Sequence, residues 1–400
     1  MKIVMVCEFY NESLEYQENL LVKYYRKQGH EVTVITSTFE SVFDYYNDRH
    51  DNSVPARTYF DRGARIIKLP YRYNFFNRLR AYIRIDGILR DEKPDLLYIH
   101  DIMPNFPEAV RYVKTHPECR MIMDYHADYS NSGKSWISRK LLHGILRKWF
   151  LDRARPHLSR IFAVTPPSIP FLSDLYKIPP EDIEILPLGA DLDRCAEVKQ
   201  RREGRALRRS LGIADDTIVI FTGGKLDPLK KTELLIEAVK SLPLLPLHLV
   251  VIGDSGPKFA DYKAQLVEAA GQASNIRFAG WLESKDIYKY LDLADIAVFP
   301  ASQSILWQQA IAMGLPLIVG DTGNQDMSYL NLRNNIVILA NDEIRADRLA
   351  QEISRIAADP ALLKAMSAGA AEVANEHLNW DRLVQRTLSF NPSEPPRGIQ

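Results

Sequence analysis

The chain has 400 residues, 46% of them hydrophobic, with Lys+Arg and Asp+Glu balanced at 51 each. That length exceeds what one core organises, so two domains are expected, and the even balance excludes a protein that holds polyanions by net charge alone. Cys7, Cys119 and Cys195 are too few and too scattered for a disulfide framework or a zinc spacing, and a reducing cytoplasm is expected.

The N-terminal MKIVMVCEFY is apolar only as far as Glu8, too short for a signal peptide. No run approaches the roughly 20 apolar residues of a membrane helix, so any membrane contact is expected to be peripheral. Short β-branched runs then alternate with longer amphipathic stretches: KIVMV (2–6), EVTVIT (31–36), ARIIKL (64–69), LLYIH (96–100), RMIMDYH (120–126), RIFAVT (160–165) and EIL (184–186). Leu20, Leu21, Tyr24 and Tyr25 within 19–27 show the helical spacing between them. Such alternation predicts a doubly wound parallel sheet covered by helices.

Charge is uneven along this half. Between Arg62 and Arg90, basic residues including Arg72, Arg78 and Arg84 interleave with Tyr71, Tyr73, Phe75, Phe76 and Tyr82. From Lys134 to Arg160, Arg139, Lys140, Arg147, Lys148 and Arg153 accompany Trp136, Ile137, Leu141, Ile145 and Trp149. A basic helix with an apolar face suits an anionic membrane surface, and a core-facing helix with a solvated basic side fits the same pattern. No RNA-binding motif accompanies either stretch, and no nucleic acid is expected.

Two loop histidines carry potential chemistry. His126 lies just past the strand RMIM in DYHADYSNSG (124–133), flanked by Asp124 and Asp128, and His100–Asp101 follows LLYIH in the same way. A neighbouring carboxylate would fix the imidazole tautomer and raise its pKa, whereas a structural loop histidine would simply bond backbone.

The polar, Arg/Lys-rich stretch 190–209 has no apolar period and reads as a linker, with Asp191 as a turn residue rather than part of a metal triad. Beyond it the alternation restarts in TIVIFTGG, LHLVVIGDSG, NIRFAG, DIAVFP, LPLIVGD and NIVILAND. The expected division is a first domain over 1–190, a second over 191–374, and a tail over 375–400 whose Trp380, Leu383, Val384 and Leu388 would return to the first. Two such sheets facing each other would place their C-terminal strand ends around one cleft.

In the second series, the glycine pair of GGKLDPLKK permits a tight turn and close approach to a ligand. Lys225 and Lys230 follow, two cations able to neutralise a diphosphate, though surface lysines are ordinarily only solvated. Residues 298–321 read as strand, polar loop, helix and strand, so the helix start near Ser304 offers N–H groups to an anion and Gln309 stands five residues on. Helix capping and solvation would also account for Gln303, Ser304, Gln308 and Gln309.

Four stretches together, 165–193, 221–240, 276–302 and 308–321, resemble in order and spacing the retaining glycosyltransferases of the GT-B fold, family 4. The resemblance implies an α/β protein of two facing Rossmann-like doubly wound domains. It implies transfer of a hexose-type sugar from a nucleoside diphosphate sugar, with retention, to a hydroxyl acceptor. The basic first half suggests that this acceptor is a glycan or lipid-linked hydroxyl in surface polysaccharide, lipopolysaccharide or glycolipid synthesis, and the expected location is cytoplasmic, peripheral on the inner face of the membrane. It places Gly224, Lys225, Lys230 and the amides of Ser304 and Ile305 on the diphosphate, Trp281 and Leu282 beside the nucleobase, and His126 with Asp128 near the transferred sugar. With cations neutralising the leaving group, neither metal nor cofactor is expected.

The chain departs from the family where a pair of glutamates normally stands, at Ala301 and Gln309. Gln309 keeps an acceptor for ribose hydroxyls, while Ala301 cannot touch a sugar and leaves that to Gln303 or Ser302. Lys225 stands where the family usually has Arg and loses its bidentate fork. The loop EFYNESLEYQENLL lacks the family's glycines, so Glu15, Tyr16 and Gln17 either shape an acceptor site or begin a helix. The rival readings are a sugar-nucleotide epimerase of the same architecture and a non-catalytic GT-B scaffold. A dinucleotide-dependent dehydrogenase is disfavoured, because no G-x-G-x-x-G follows the first strand.

Overall fold

The computed structural model describes residues 1–39, 54–75, 79–323 and 325–389; Phe76, Arg78 and the tail from 390 onward lie outside them. Contacts divide the chain into two compact units, Met1–Pro187 with Leu383–Gln400, and Leu188–Arg382.

The strands of the first unit are β1 Lys2–Val6, β2 Glu31–Ser37, β3 Arg57–Asp61, β4 Ala64–Leu69, β5 Tyr71–Phe75, β6 Leu79–Tyr82, β7 Leu96–His100, β8 Arg120–Tyr125, β9 Arg160–Ala163 and β10 Ile183–Ile185. Eight of them form one sheet in the order β10-β9-β8-β7-β1-β2-β4-β3. All its pairings are parallel except β3 on β4, the one edge made by a hairpin. A separate antiparallel pair joins β5 to β6. Near-continuous apolar strands such as LLYIH, buried along their whole length, are what a sheet covered on both faces requires. The helix Gln17–Lys27 begins inside the glycine-free stretch 8–21, with Tyr16 at its N-cap, so Glu15 and Tyr16 precede the helix and Gln17 opens it.

The second unit has six strands, β11 Ile218–Gly223, β12 Leu247–Ile252, β13 Ile276–Gly280, β14 Ile296–Phe299, β15 Leu317–Gly320 and β16 Ile336–Leu339. They are all parallel and lie in the order β13-β12-β11-β14-β15-β16.

One local expectation is corrected. The stretch read as a linker forms two helices, Leu192–Arg201 and Glu203–Ser210. Asp191 caps the first by accepting from the Arg194 amide at 3.1 Å, and Cys195 and Val198, with the partly buried Leu192, face inward into the core of the second unit. A helix that buries so narrow a stripe leaves too little periodicity to read. The basic segment after Gly133 is a π-helix, Ser138–Arg147, running into the α-helix Lys148–Ala154.

The C-terminal segment from Leu383 packs in the first unit. There Thr387 bonds Tyr25 through their hydroxyls, and Arg386 donates to the Ile185 carbonyl at 2.6 Å.

Candidate active site

In the second sheet, β11 and β14 are neighbours, and the chain leaves them in opposite directions, to β12 and to β15. Their carboxyl ends therefore form the switch point at which open α/β sheets bind ligands. Two loops start there. The first begins at Gly224, whose φ of +115° belongs to the region that favours glycine. A Cβ on Gly224 would lie 3.2 Å from Lys230 Cε, 3.6 Å from its Nζ and 3.7 Å from Ser304 Oγ, so three of the expected residues converge on one point. Gly253, with φ +103°, supports the crossing from below: a Cβ there would sit 1.9 Å from the Gly224 carbonyl oxygen.

Lys230 reaches this point because Asp227 accepts from the Leu229 amide at 3.0 Å and opens the short turn Pro228–Lys230. Its ammonium donates to Ser302 Oγ at 3.2 Å, on a serine held at φ +60°. Burial lowers the Lys230 pKa, with the Asp227 carboxylate opposing. A partly desolvated ammonium is poised to gain from an arriving anion.

Ser304 Oγ accepts from the Leu306 amide at 3.3 Å, just ahead of the helix Leu306–Ala312. In that helix Gln308 donates to the Tyr329 hydroxyl at 3.3 Å. Gln309 is only 5% exposed, and its Oε1 is buried with no hydrogen-bond partner among the described residues. Such an orphan acceptor costs about 1–3 kcal/mol and calls for an explanation.

The remaining expected residues are arranged differently. Lys225 is exposed, with its ammonium 5.7 Å from the Phe259 ring centroid. Trp281 is 61% exposed, Gln303 is exposed, Ile305 is half-buried and Leu282 packs against the core. Ala301 is buried and brings no polar atom.

In the first unit the carboxyl ends of β7 and β8 hold a charged cluster. The fully buried Asp124 accepts from Gln17 Nε2 and from the Tyr98 hydroxyl, both at 2.9 Å and both on Oδ2. His100 Nδ1 lies 3.1 Å and His126 Nε2 3.4 Å from the same oxygen. Burial opposes charge on His126, but the Asp124 carboxylate outweighs it and raises the imidazole pKa to about 10. Burial likewise pushes Asp124 up, and the two imidazoles more than offset this, leaving it well below the carboxylate range. The ligand atoms of His100, Asp124 and His126 lie within 4.8 Å of one another, a donor set that would suit a transition metal. The shared oxygen is already taken by two hydrogen-bond donors, which fits an imidazolium held by a carboxylate better.

Asp101, at φ +60°, accepts from the His126 amide at 3.0 Å and fixes where that ring leaves the sheet. No hydrogen bond joins Asp128 to His126 among the described residues; Asp128 Oδ1 accepts from the Ser130 amide at 2.7 Å and the Asn131 amide at 3.2 Å and so builds the turn. Sequence reasoning missed Gln17 and Tyr98 as partners of Asp124; Gln17 is 107 residues away from it, and no local pattern signals such a pair.

Comparison with known proteins places these features in context. The family model "Glycosyltransferase Family 4" matches residues 19–194, and "Glycosyl transferases group 1" matches 204–373. A D-inositol 3-phosphate glycosyltransferase of Actinosynnema mirum is 28% identical over 242 residues, 58% of this chain and 56% of that one. A GDP-mannose-dependent monoacylated alpha-(1-6)-phosphatidylinositol monomannoside mannosyltransferase of Corynebacterium glutamicum is 28% identical over 224 residues, 53% of this chain and 56% of that one. The chain spans about half the length of the curated relatives it matches. Among solved structures, Anabaena HepE in complex with UDP aligns at a TM-score of 0.67 and 14% identity, covering 97% of this chain and 98% of that one. A glycosyltransferase from Rickettsia africae aligns at 0.69 and 16% identity, covering 97% and 96%. At these identities the structural likeness establishes the fold.

Proposed function

The chain belongs to the family 4, group 1 glycosyltransferases and has their GT-B fold, and from that premise we propose that it transfers a hexose-type sugar from a nucleoside diphosphate sugar to a hydroxyl acceptor, with retention at the anomeric carbon. The observation that carries the reading is the convergence of Gly224, Lys230 and Ser304 at a sheet switch point, with the unpartnered Gln309 Oε1 on the helix that follows.

In this reading, breaking the sugar–phosphate bond loads charge on the departing diphosphate, and the protein lowers the barrier most by stabilising that charge. Lys230 places its ammonium beside Gly224, where the missing side chain leaves room for a phosphate oxygen. Ser304 Oγ adds a hydrogen bond from the other loop. Gln309 Oε1 accepts from the ribose hydroxyls and so gains its missing partner. Lys225 has the lesser part, because its ammonium lies by Phe259. Trp281 and Leu282 border the base. His126, cationic through Asp124, bonds the transferred sugar. No metal is required where cationic side chains neutralise the leaving group. The acceptor is a glycan or lipid-linked hydroxyl in surface polysaccharide or glycolipid synthesis, a class to which the name of the Corynebacterium mannosyltransferase also points.

The test is incubation with UDP-, GDP- and ADP-sugars, with and without a glycolipid acceptor mixture, following nucleotide release. Release that needs the acceptor is expected. Release or sugar conversion without acceptor favours the epimerase, and binding without turnover favours the non-catalytic scaffold; either result overturns the proposal.

A further inference from the structure

Exposed large apolar side chains are scattered singly over the described surface except in one place. Trp136, Ile137, Leu141, Ile145, Leu146 and Trp149 are between 45% and 69% exposed, all within one short segment. Their four- and five-residue spacings match the π-helix Ser138–Arg147 and the α-helix that continues it, so they form one stripe. An isolated exposed Leu needs no explanation, but a contiguous stripe with two tryptophans marks an interaction surface.

The charge around the stripe selects its partner. Lys134, Arg139 and Lys140 are exposed, Arg153 stacks its guanidinium 3.5 Å from the Trp149 ring centroid, and between Lys134 and Arg153 the only acidic residue is Asp152. Apolar groups able to sit at the headgroup boundary, rimmed by cations, are complementary to a lipid surface of negative charge. The described helices contain none long and apolar enough to cross a membrane, which leaves binding in the plane of the surface.

We propose that this basic, Trp-containing face of residues 134–153 docks the protein on anionic lipid bilayers. The segment is tied to the loop bearing His126. Arg139 Nε donates to the Gly133 carbonyl, His143 Nε2 stands 3.0 Å from Ser132 Oγ, and Asn131 Nδ2 donates to the His126 carbonyl at 3.2 Å. Docking therefore sets the His126 loop close to the lipid surface, which suits a lipid-linked acceptor. The docking itself does not depend on the transfer reaction.

The test is sedimentation of the full chain with phosphatidylcholine vesicles, with and without about one third phosphatidylglycerol. Binding at least tenfold stronger to the anionic vesicles, weakened by salt, is expected. Each of Lys134→Gln and Lys140→Gln lowers it about fivefold, and Trp136→Ser with Trp149→Ser lowers it more than tenfold. UDP-sugar binding and the melting temperature stay unchanged in these variants, which separates this proposal from the nucleotide-site reading. Equal binding to neutral vesicles, no binding at all, or anionic binding untouched by the four substitutions overturns it. Loss of self-association in the tryptophan variant without loss of vesicle binding assigns the stripe to a protein partner and overturns it equally.

Discussion

Gln309 is the residue whose chemistry most directly separates folding from function. A buried acceptor without a partner detracts from the stability of the ligand-free protein and is satisfied only when a donor arrives. Gln309→Met keeps the volume and removes the polar end. It should raise the ligand-free melting temperature, consistent with relief of about 1 kcal/mol, and weaken nucleotide binding about fivefold or more, both read by calorimetry. Lys230→Ala should leave the fold intact and cost about 1.5–3 kcal/mol in nucleotide affinity, the range for a charge-assisted bond. His126 predicts a pH dependence. Its folded pKa is raised, so its contribution to stability is whole below about pH 6.5, the ordinary imidazole value, and is lost as pH rises through the folded value, about 10. Melting temperature should therefore fall from neutral toward alkaline pH, and His126→Gln should flatten that limb.

At the scale of elements, the decisive feature is the crossing of the loops after β11 and β12. Gly253→Ala would drive a Cβ into the Gly224 carbonyl, a backbone clash that no side-chain movement relieves, and should cost more than about 3 kcal/mol. Gly224→Ala meets the flexible end of Lys230 and the Ser304 hydroxyl rather than backbone, but must hold φ +115°, so it should cost about 1–3 kcal/mol of strain, less than Gly253→Ala, while losing nucleotide binding; parallel melting and binding curves distinguish the two substitutions. These strands were legible because a sheet buried on both faces needs runs such as IAVF and LIVG, which no amphipathic helix shares. The helices Leu192–Arg201 and Glu203–Ser210 were not, since their polar faces dominate the pattern. The β5–β6 pair was missed as well, its alternation hidden among arginines and tyrosines.

Across the whole molecule, the two series of strands announced two α/β units, and the glycine pair with Lys230 marked the loop where Gly224, Lys230 and Ser304 converge in the second. The convergence at Gly224 was legible because its parts lie in two short loops with recognisable turn chemistry. The Asp124 cluster was only half legible: His126 and Asp124 are neighbours in sequence, whereas Gln17, Tyr98 and His100 reach them through the sheet order. The family glutamates replaced by Ala301 and Gln309 make nucleotide binding the claim on which the account rests. The most direct measurement is a melting-temperature screen of the protein against UDP, GDP, ADP and their sugars, beside Lys230→Ala. At 100 times its dissociation constant, a ligand should stabilise the wild type by about 2.7 kcal/mol, and the account predicts that one nucleotide does so and that Lys230→Ala abolishes the shift. No shift with any of them, or a shift that survives Lys230→Ala, would contradict it.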